Sequence, residues 1–324
     1  MDGLKDWLPI RLWQQAGEWR VDWCWFGGRK LDQPFFREAV EDALRLPFNQ
    51  AFRRETALAS LREWRAPALA PTAFIYHASR CGSTLICQML AQLDEAIVIC
   101  EPPPLDSLLR GAFEPQERQA ALRGLLAAYG QIRRGSEQKL VIKLDAWNIG
   151  ELAVLRECFP ATPWLFVYRD PLEIAVSHWR RAGMHMVPGM IGASSLDAPG
   201  QDNSREDYIA RRLGRILRQG LEHCQAFAGV PVNYSELPVA MDGHLADFFG
   251  LDAGQRNRVF ATVGQHAKQP AQVFVPDSQD KRREACEWLR VQVSAWAQGP
   301  YEALERLRLA PSRLPRSGNS DNGD

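Results

Sequence analysis

Five short apolar runs, each set between helical stretches, constrain the fold of this chain more than any other feature. They are Ala73–His77, Ala96–Cys100, residues 140–144, Trp164–Tyr168 and residues 230–234. Runs of this length without polar alternation are strands buried on both faces. The fifth is weaker, because Pro231 cannot donate to a ladder and suits only an edge. Helical patterns separate them at residues 117–129, 149–158 and 172–181. Arg205–Phe227 carries an apolar stripe of Ile209, Leu213, Ile216, Leu217, Leu221 and Cys224. Buried strands alternating with helices predict an α/β fold of three layers, a central parallel sheet with helices on both faces. Ligands of such sheets bind at the carboxyl ends of the strands. Four of the five runs end there in polar residues: His77-Ala-Ser-Arg80, Glu101, Asp145 and Arg169-Asp170.

Charge and cysteine usage narrow the class. Of 324 residues, 39 are Lys or Arg and 39 Asp or Glu, so the net charge is zero. That excludes nucleic-acid binding driven by bulk positive charge. No apolar string approaches the roughly 18 residues of a membrane span. Met1-Asp-Gly-Leu-Lys-Asp-Trp7 has no apolar core of a secretory signal, so a cytoplasmic location is expected. The seven cysteines show no C-x-x-C spacing, and the histidines no ligand spacing. Reduced thiols, no disulfide frame and no metal site are expected.

Residues 1–65 read as an N-terminal extension. Five of the eleven tryptophans fall in its first 25 residues, as packing groups. The alternation over residues 18–26, meeting Gly27-Gly28, predicts a strand and turn. Residues 35–64 look helical with a break at Pro47, and residues 66–71 form a stiff linker. A single α/β domain follows at 72–310. The Pro/Ser/Gly/Asn-rich tail, 311–324, is expected to be disordered.

The first buried strand runs into Ser79-Arg-Cys-Gly-Ser-Thr84 and then a helix. Gly82 permits close approach of a ligand to the backbone. Ser83 and Thr84 offer hydroxyls and helix-start amides, and Arg80 a fixed charge, which together suit an anion. A Walker A loop would need a second glycine and a lysine before the hydroxyl residue, and neither is present. The alternative is a plain strand–helix turn capped by Ser79. Further on, Arg169-Asp-Pro171 opens another helix at a strand end, with Asp170 suited to the N-cap and Pro171 to the first turn. Ser177 lies eight residues beyond Arg169 and could share a phosphate with it. The alternative pairs Arg169 with a carboxylate and leaves Ser177 as a packing residue.

Together these two segments resemble the sulfotransferases that use 3′-phosphoadenosine 5′-phosphosulfate (PAPS). In that family a loop [K/R]-x-G-[ST]-[ST] holds the 5′-phosphosulfate, and here Arg80-Cys-Gly-Ser-Thr84 matches it. R-[DN]-P followed by a serine holds the 3′-phosphate, and here Arg169-Asp-Pro171 and Ser177 match with the family's spacing. Val232-Asn-Tyr-Ser-Glu-Leu237, Leu245-Ala-Asp-Phe-Phe-Gly-Leu251 and Tyr301-Glu-Ala-Leu304 extend the likeness over residues 72–309. Arginine in the loop is closer to the tyrosylprotein and some bacterial branches than to the cytosolic one. Leu85 stands where many cytosolic members carry tryptophan. Their glycine-rich C-terminal nucleotide segment has only Gly264-Gln-His-Ala-Lys268 as a loose stand-in.

The resemblance implies a P-loop-type fold. It also implies cofactor-binding roles for Arg80, Cys81, Gly82, Ser83, Thr84, Arg169 and Ser177, and catalytic roles for Arg80, Lys143 and Glu101. Sulfuryl transfer requires deprotonation of the acceptor, in-line placement and stabilisation of the leaving phosphate. It demands no metal, because a sulfuryl group carries less charge than a γ-phosphate. Lys143 would touch the leaving phosphate. Glu101, followed by Pro102-Pro-Pro104, is the expected base, with a raised pKa. Asp145 is the rival, expected otherwise to orient Lys143. Met184-His-Met186 and residues 192–203 form a long segment where an acceptor lid would lie, with His185 as lid or packing residue. Arg211, Arg212, Arg215 and Arg218 read as a solvated helix face. The expected activity is transfer to a hydroxyl or amine of a small molecule or peptide. An ATP·Mg-dependent P-loop kinase and a non-catalytic nucleotide-binding relative are the alternatives.

Overall fold

The computed structural model describes residues 2–197, 204–261, 265–266, 269–273 and 278–310. The expected tail, most of Gly264–Lys268 and the end of the lid segment lie outside them.

The N-terminal strands β1 (Trp7–Gln15), β2 (Glu18–Trp25) and β3 (Arg54–Ala57) form an antiparallel sheet in that order. β2 is the strand that the alternation predicts, whereas β1 and β3 escape that reading. The stretch expected to be helical between residues 35 and 64 instead holds helices Phe36–Leu44, Pro47–Ala51 and Ala59–Arg62 around β3. β3 is only four residues long and follows the pairing of β2, with Val21 opposite Thr56. The tryptophans pack as expected: Trp23 stacks on Trp64, and its indole N–H donates to Thr56 Oγ1 at 2.9 Å.

The second sheet is the expected one. Strands β4 (Ala73–His77), β5 (Ala96–Cys100), β6 (Lys139–Lys143), β7 (Trp164–Tyr168) and β8 (Val230–Asn233) are all parallel, in the order β5-β6-β4-β7-β8. Every residue of β4, β5 and β7 is buried. Helices pack around the sheet, and Pro231 sits on the edge strand, where a missing donor is tolerated. The chain leaves β4 to one side for β5 and β6, then crosses to the other for β7 and β8. The carboxyl end of β4 therefore lies at the topological switch point.

The extension is fastened to this domain rather than hung from it. Tyr129 donates its hydroxyl to the Pro9 carbonyl at 3.0 Å, and Gln131 donates to the Trp7 carbonyl at 2.8 Å. Leu8, Val21 and Leu61 belong to the same continuous core as the central strands. Helix Ala59–Arg62 lies so close to helix Pro115–Tyr129 that a methyl group on Gly124 would overlap the Leu61 carbonyl. Overpacking of this kind typically costs about 1–3 kcal/mol. Gly124→Ala should therefore lower the thermal midpoint measurably in a single transition, and an unchanged midpoint would mean the two helices separate freely.

Candidate active site

The Ser79–Thr84 loop turns on backbone that few residues adopt. Ser79, Arg80 and Gly82 have φ of 65°, 49° and 87°, all left-handed. Gly82 is the N-cap of helix Ser83–Leu90, without a side-chain cap, so Ser79 is not the capping residue. A Cβ at Gly82 would stand 2.6 Å from the Tyr234 ring, so only glycine fits both the turn and the space. The first amides of the helix have no partner within it. Ser83 and Thr84 are buried. The Cys81 thiol donates to the Val167 carbonyl at 3.1 Å, pinning the loop to β7. Arg80 is partly exposed and donates to the Arg181 carbonyl at 3.3 Å.

Beside the loop stands a buried ion pair. Lys143 ends β6 directly opposite Cys100 of β5, so Glu101 emerges next to it. Lys143 Nζ lies 2.8 Å from Glu101 Oε1, with the lysine side chain 1% and the glutamate 22% exposed. The same ammonium donates to Thr84 Oγ1 at 3.3 Å and lies 5.0 Å from the Phe35 ring centre. Glu101 is itself left-handed, φ 53°, with its amide bonded to the Lys143 carbonyl at 2.8 Å. His77 Nε2 reaches the same carboxylate oxygen at 3.2 Å.

This arrangement overturns two expectations. Burial alone would push the Glu101 carboxyl up, but Lys143 and His77 outweigh it and hold the group well below the usual carboxylate range. Burial likewise opposes the Lys143 charge, and Glu101 more than restores it, leaving the amine above its ordinary value. Nor does Asp145 orient Lys143: the ladder puts Glu101 in that place, and no Lys143–Asp145 ion pair forms among the described residues. Burial, reinforced by Glu101 and Asp106, instead lifts the Asp145 carboxyl well above its ordinary range. Asp106 lies close by and accepts from Trp147 at 2.6 Å and Asn148 at 2.7 Å.

On the other side of the loop, Arg169 follows β7 and is buried. Its Nε donates to Glu173 Oε2 at 2.5 Å, and its guanidinium stacks over Tyr234 at 4.2 Å. Asp170 caps helix Pro171–Arg180 as expected, accepting from the amides of Leu172 and Glu173. Ser177 Oγ donates back to the Glu173 carbonyl at 2.8 Å. The carboxylate-paired alternative for Arg169 is thus what this structure contains, and Ser177 is satisfied by its own helix. Arg282, which the sequence reading missed, joins the same acidic pair. It lies 2.8 Å from Asp170 and 3.2 Å from Glu173. Its signal in sequence is only a Lys281-Arg-Arg283 cluster, indistinguishable there from a solvated helix face.

Two further readings change. Arg212 is buried against Asp197, and Arg215 donates to the Leu196 carbonyl, so both fasten residues 196 and 197, in the segment expected as a lid, rather than face solvent. Arg211 pairs with Asp207, and Arg218 alone of the four is exposed. His185 is buried between Trp147 and His178. Burial, with His77 and Arg212 nearby, pulls its pKa down to about 3, so the ring is neutral. The seven cysteines are free thiols, and only Cys286 is exposed. Among the described residues no group of three or more metal-ligating side chains converges, and no helix is long and apolar enough to cross a membrane.

No protein-family model matches the chain, and no curated protein does. Among solved structures it is similar to a sulfotransferase from Alicyclobacillus acidocaldarius, with a TM-score of 0.45 and 18% identity. That match covers 74% of this chain and 96% of the other. It is also similar to sulfotransferase STF9 from Mycobacterium avium, with a TM-score of 0.43, 13% identity, and coverage of 74% and 78%. Both neighbours are bacterial sulfotransferases.

The ion pair can be tested without substrate. Glu101→Gln leaves the Lys143 ammonium buried without its counter-charge. Losing one partner of a buried pair costs about 3–5 kcal/mol, and about 1–3 is expected here because Glu101 keeps some water. Adding Lys143→Met should recover much of the loss in a denaturant melt. Since the Glu101 pKa is depressed, its contribution should be complete above the ordinary carboxylate range and fade only as pH falls below it.

Proposed function

We propose that the chain is a sulfotransferase, moving a sulfuryl group from PAPS to a hydroxyl or amine acceptor. The observation that carries this reading is the convergence of Thr84, Lys143 and Glu101 at the switch point of a parallel sheet, beside the left-handed turn through Arg80 and Gly82. A buried cation and the start of a helix lie together there, with a carboxylate beside them. That combination suits a dianionic donor and a proton-losing acceptor.

In the proposed reaction the acceptor oxygen or nitrogen forms a bond to sulfur as the bridging S–O bond of the phosphosulfate breaks. The leaving 3′-phosphoadenosine 5′-phosphate keeps that electron pair, and the acceptor proton passes to a carboxylate. Gly82, Ser83, Thr84 and the Cys81 backbone would hold the 5′-phosphosulfate, with Arg80 and Lys143 stabilising charge on the transferring group and the leaving phosphate. Lys143 is shared between Glu101 and Thr84. A phosphate drawing the ammonium toward Thr84 would relax its hold on Glu101. The carboxyl would then rise toward its ordinary range as the acceptor arrives, which makes it a better base.

One observation favours a second reading of the base alone. Of the two candidate bases, Asp145 is the one whose surroundings raise its pKa in the free protein. The two assignments separate by kinetics. With Glu101 as base, Glu101→Gln should cut kcat by about 10²–10⁴ while nucleotide binding persists, and the acid limb of kcat/KM should lie below the ordinary carboxylate range. With Asp145 as base, Asp145→Asn carries the loss and the limb lies above that range.

Arg169 and Ser177 would take the 3′-phosphate, displacing Glu173 from Arg169. The 3′-phosphorylated product should therefore raise the thermal midpoint well beyond AMP at equal concentration. Saturation a hundredfold above Kd corresponds to about 2.7 kcal/mol. Equal shifts would remove the 3′-phosphate assignment, and a preference for ATP with magnesium would favour a kinase. Mass spectrometry of labelled PAPS incubated with the protein and a panel of alcohols, phenols, amines and tyrosine peptides tests the activity itself.

A further inference from the structure

His77 belongs to no motif, yet it touches both the loop and the carboxylate of the candidate site. Its Nδ1 accepts the Ser79 amide at 3.0 Å. An amide can only donate, so the ring proton sits on Nε2. That N–H faces the Leu144 carbonyl at 3.0 Å and Glu101 Oε1 at 3.2 Å. One imidazole thus joins the first residue of the anion loop, the end of β6 and the carboxylate beyond β5. Both turns it bridges are strained. Ser79 and Arg80 on one side, and Glu101 on the other, hold left-handed backbone without being glycine. Such conformations cost energy and persist only where surrounding contacts impose them.

We propose that His77 is a positioning residue that couples the two halves of the site, its Nδ1 shaping the anion loop and its Nε2–H orienting the Glu101 carboxylate. Its purely structural alternative is a core histidine whose bonds are satisfied incidentally. The coupling role makes a sharper demand, because the two nitrogens then serve separable functions. The proposal rests on the sulfotransferase reading only for what the loop and Glu101 do. The groups facing Glu101 besides His77 are Lys143, Arg80, Asp145, His185 and the thiols Cys87 and Cys100. Loss of the His77 N–H leaves all of these in place. A hydrogen bond to the charged form is removed, and the pKa rises.

Two variants separate the nitrogens. His77→Asn places an amide oxygen near the position of Nδ1, keeping the acceptor for Ser79 and losing the donor to Glu101. His77→Gln extends an amide N–H toward Glu101 and gives up the acceptor. The expected result for His77→Asn is near-native affinity for 3′-phosphoadenosine 5′-phosphate, with kcat reduced about 10–100-fold, the range of one hydrogen bond to a charged group, because the lost orientation of the carboxylate outweighs its gain in basicity. Its Glu101 carboxyl, followed by carbon NMR, should titrate at higher pH than in the native protein. His77→Gln should show the reverse split, with weakened nucleotide binding and a smaller loss of kcat. Parallel losses in both variants, or an unmoved Glu101 titration, would overturn the proposal. Nitrogen NMR of the native protein adds an arm that needs no variant: a neutral ring protonated at Nε2 is required, and an Nδ1–H or cationic ring overturns it. If no acceptor is sulfated by the native protein, the functional reading fails, while the tautomer and the Glu101 titration still decide the role of His77.

Discussion

A lysine ammonium with 1% of its side chain exposed is the constraint around which this molecule is arranged. A buried charge is tolerated only when paired and hydrogen-bonded. Lys143 meets that demand with groups from two directions, Glu101 after β5 and Thr84 after β4, and so ties together the ends of three adjacent strands. Glu101 can reach it only by leaving β5 in a left-handed turn, and Thr84 only because Gly82 starts the helix where it does. Had the lysine been apolar, neither turn would have an electrostatic reason to form. The site's polarity is thus written into the sheet's own register, in which Cys100 faces Lys143.

The central sheet is legible in the sequence because its strands are buried on both faces, and such strands read as unbroken apolar runs. All five lie within a residue of where those runs put them. The N-terminal sheet is less legible for the opposite reason. β1 mixes exposed and buried positions with a bulge after Pro9, and β3 has four residues, so neither shows a clean period. Among site residues, the loop and the Arg169 segment are visible because their chemistry is local in sequence. The partners of those residues are not. That Lys143 pairs with Glu101 and not Asp145 depends on which strands are neighbours, which no local pattern reveals. The same holds for Arg212, buried itself, whose partner Asp197 lies before its helix, and for His77, whose role exists only through contacts with residues 79, 101 and 144.

The two sides of the Ser79–Thr84 loop are held in different electrostatic states. Toward β6 the loop meets a cation already shared between loop and carboxylate. Toward β7 it meets Arg169, balanced by Glu173 and stacked on Tyr234. Arg282 bridges Asp170 and Glu173 from the C-terminal part of the chain, so cations and carboxylates alternate through this corner. An arriving anion would exchange partners on both sides instead of filling a bare positive hole. Exchange of this kind lowers net affinity but discriminates by shape and charge count, since only a ligand that replaces each carboxylate in place recovers what it displaces.

The Tyr234 ring that covers Gly82 and stacks on Arg169 belongs to the turn after β8, the last strand of the sheet to be made. A nascent chain emerging from a ribosome would hold the whole Ser79–Thr84 loop, Glu101, Lys143 and Arg169 well before that aromatic cover exists. Closing contacts so distant in sequence is slow compared with forming local ones. The loop would therefore reach its final shape late in synthesis, after the remaining strands have paired. A fragment ending ahead of Val230 would carry nearly every residue of the candidate chemistry and still lack the surface against which its glycine turn is moulded.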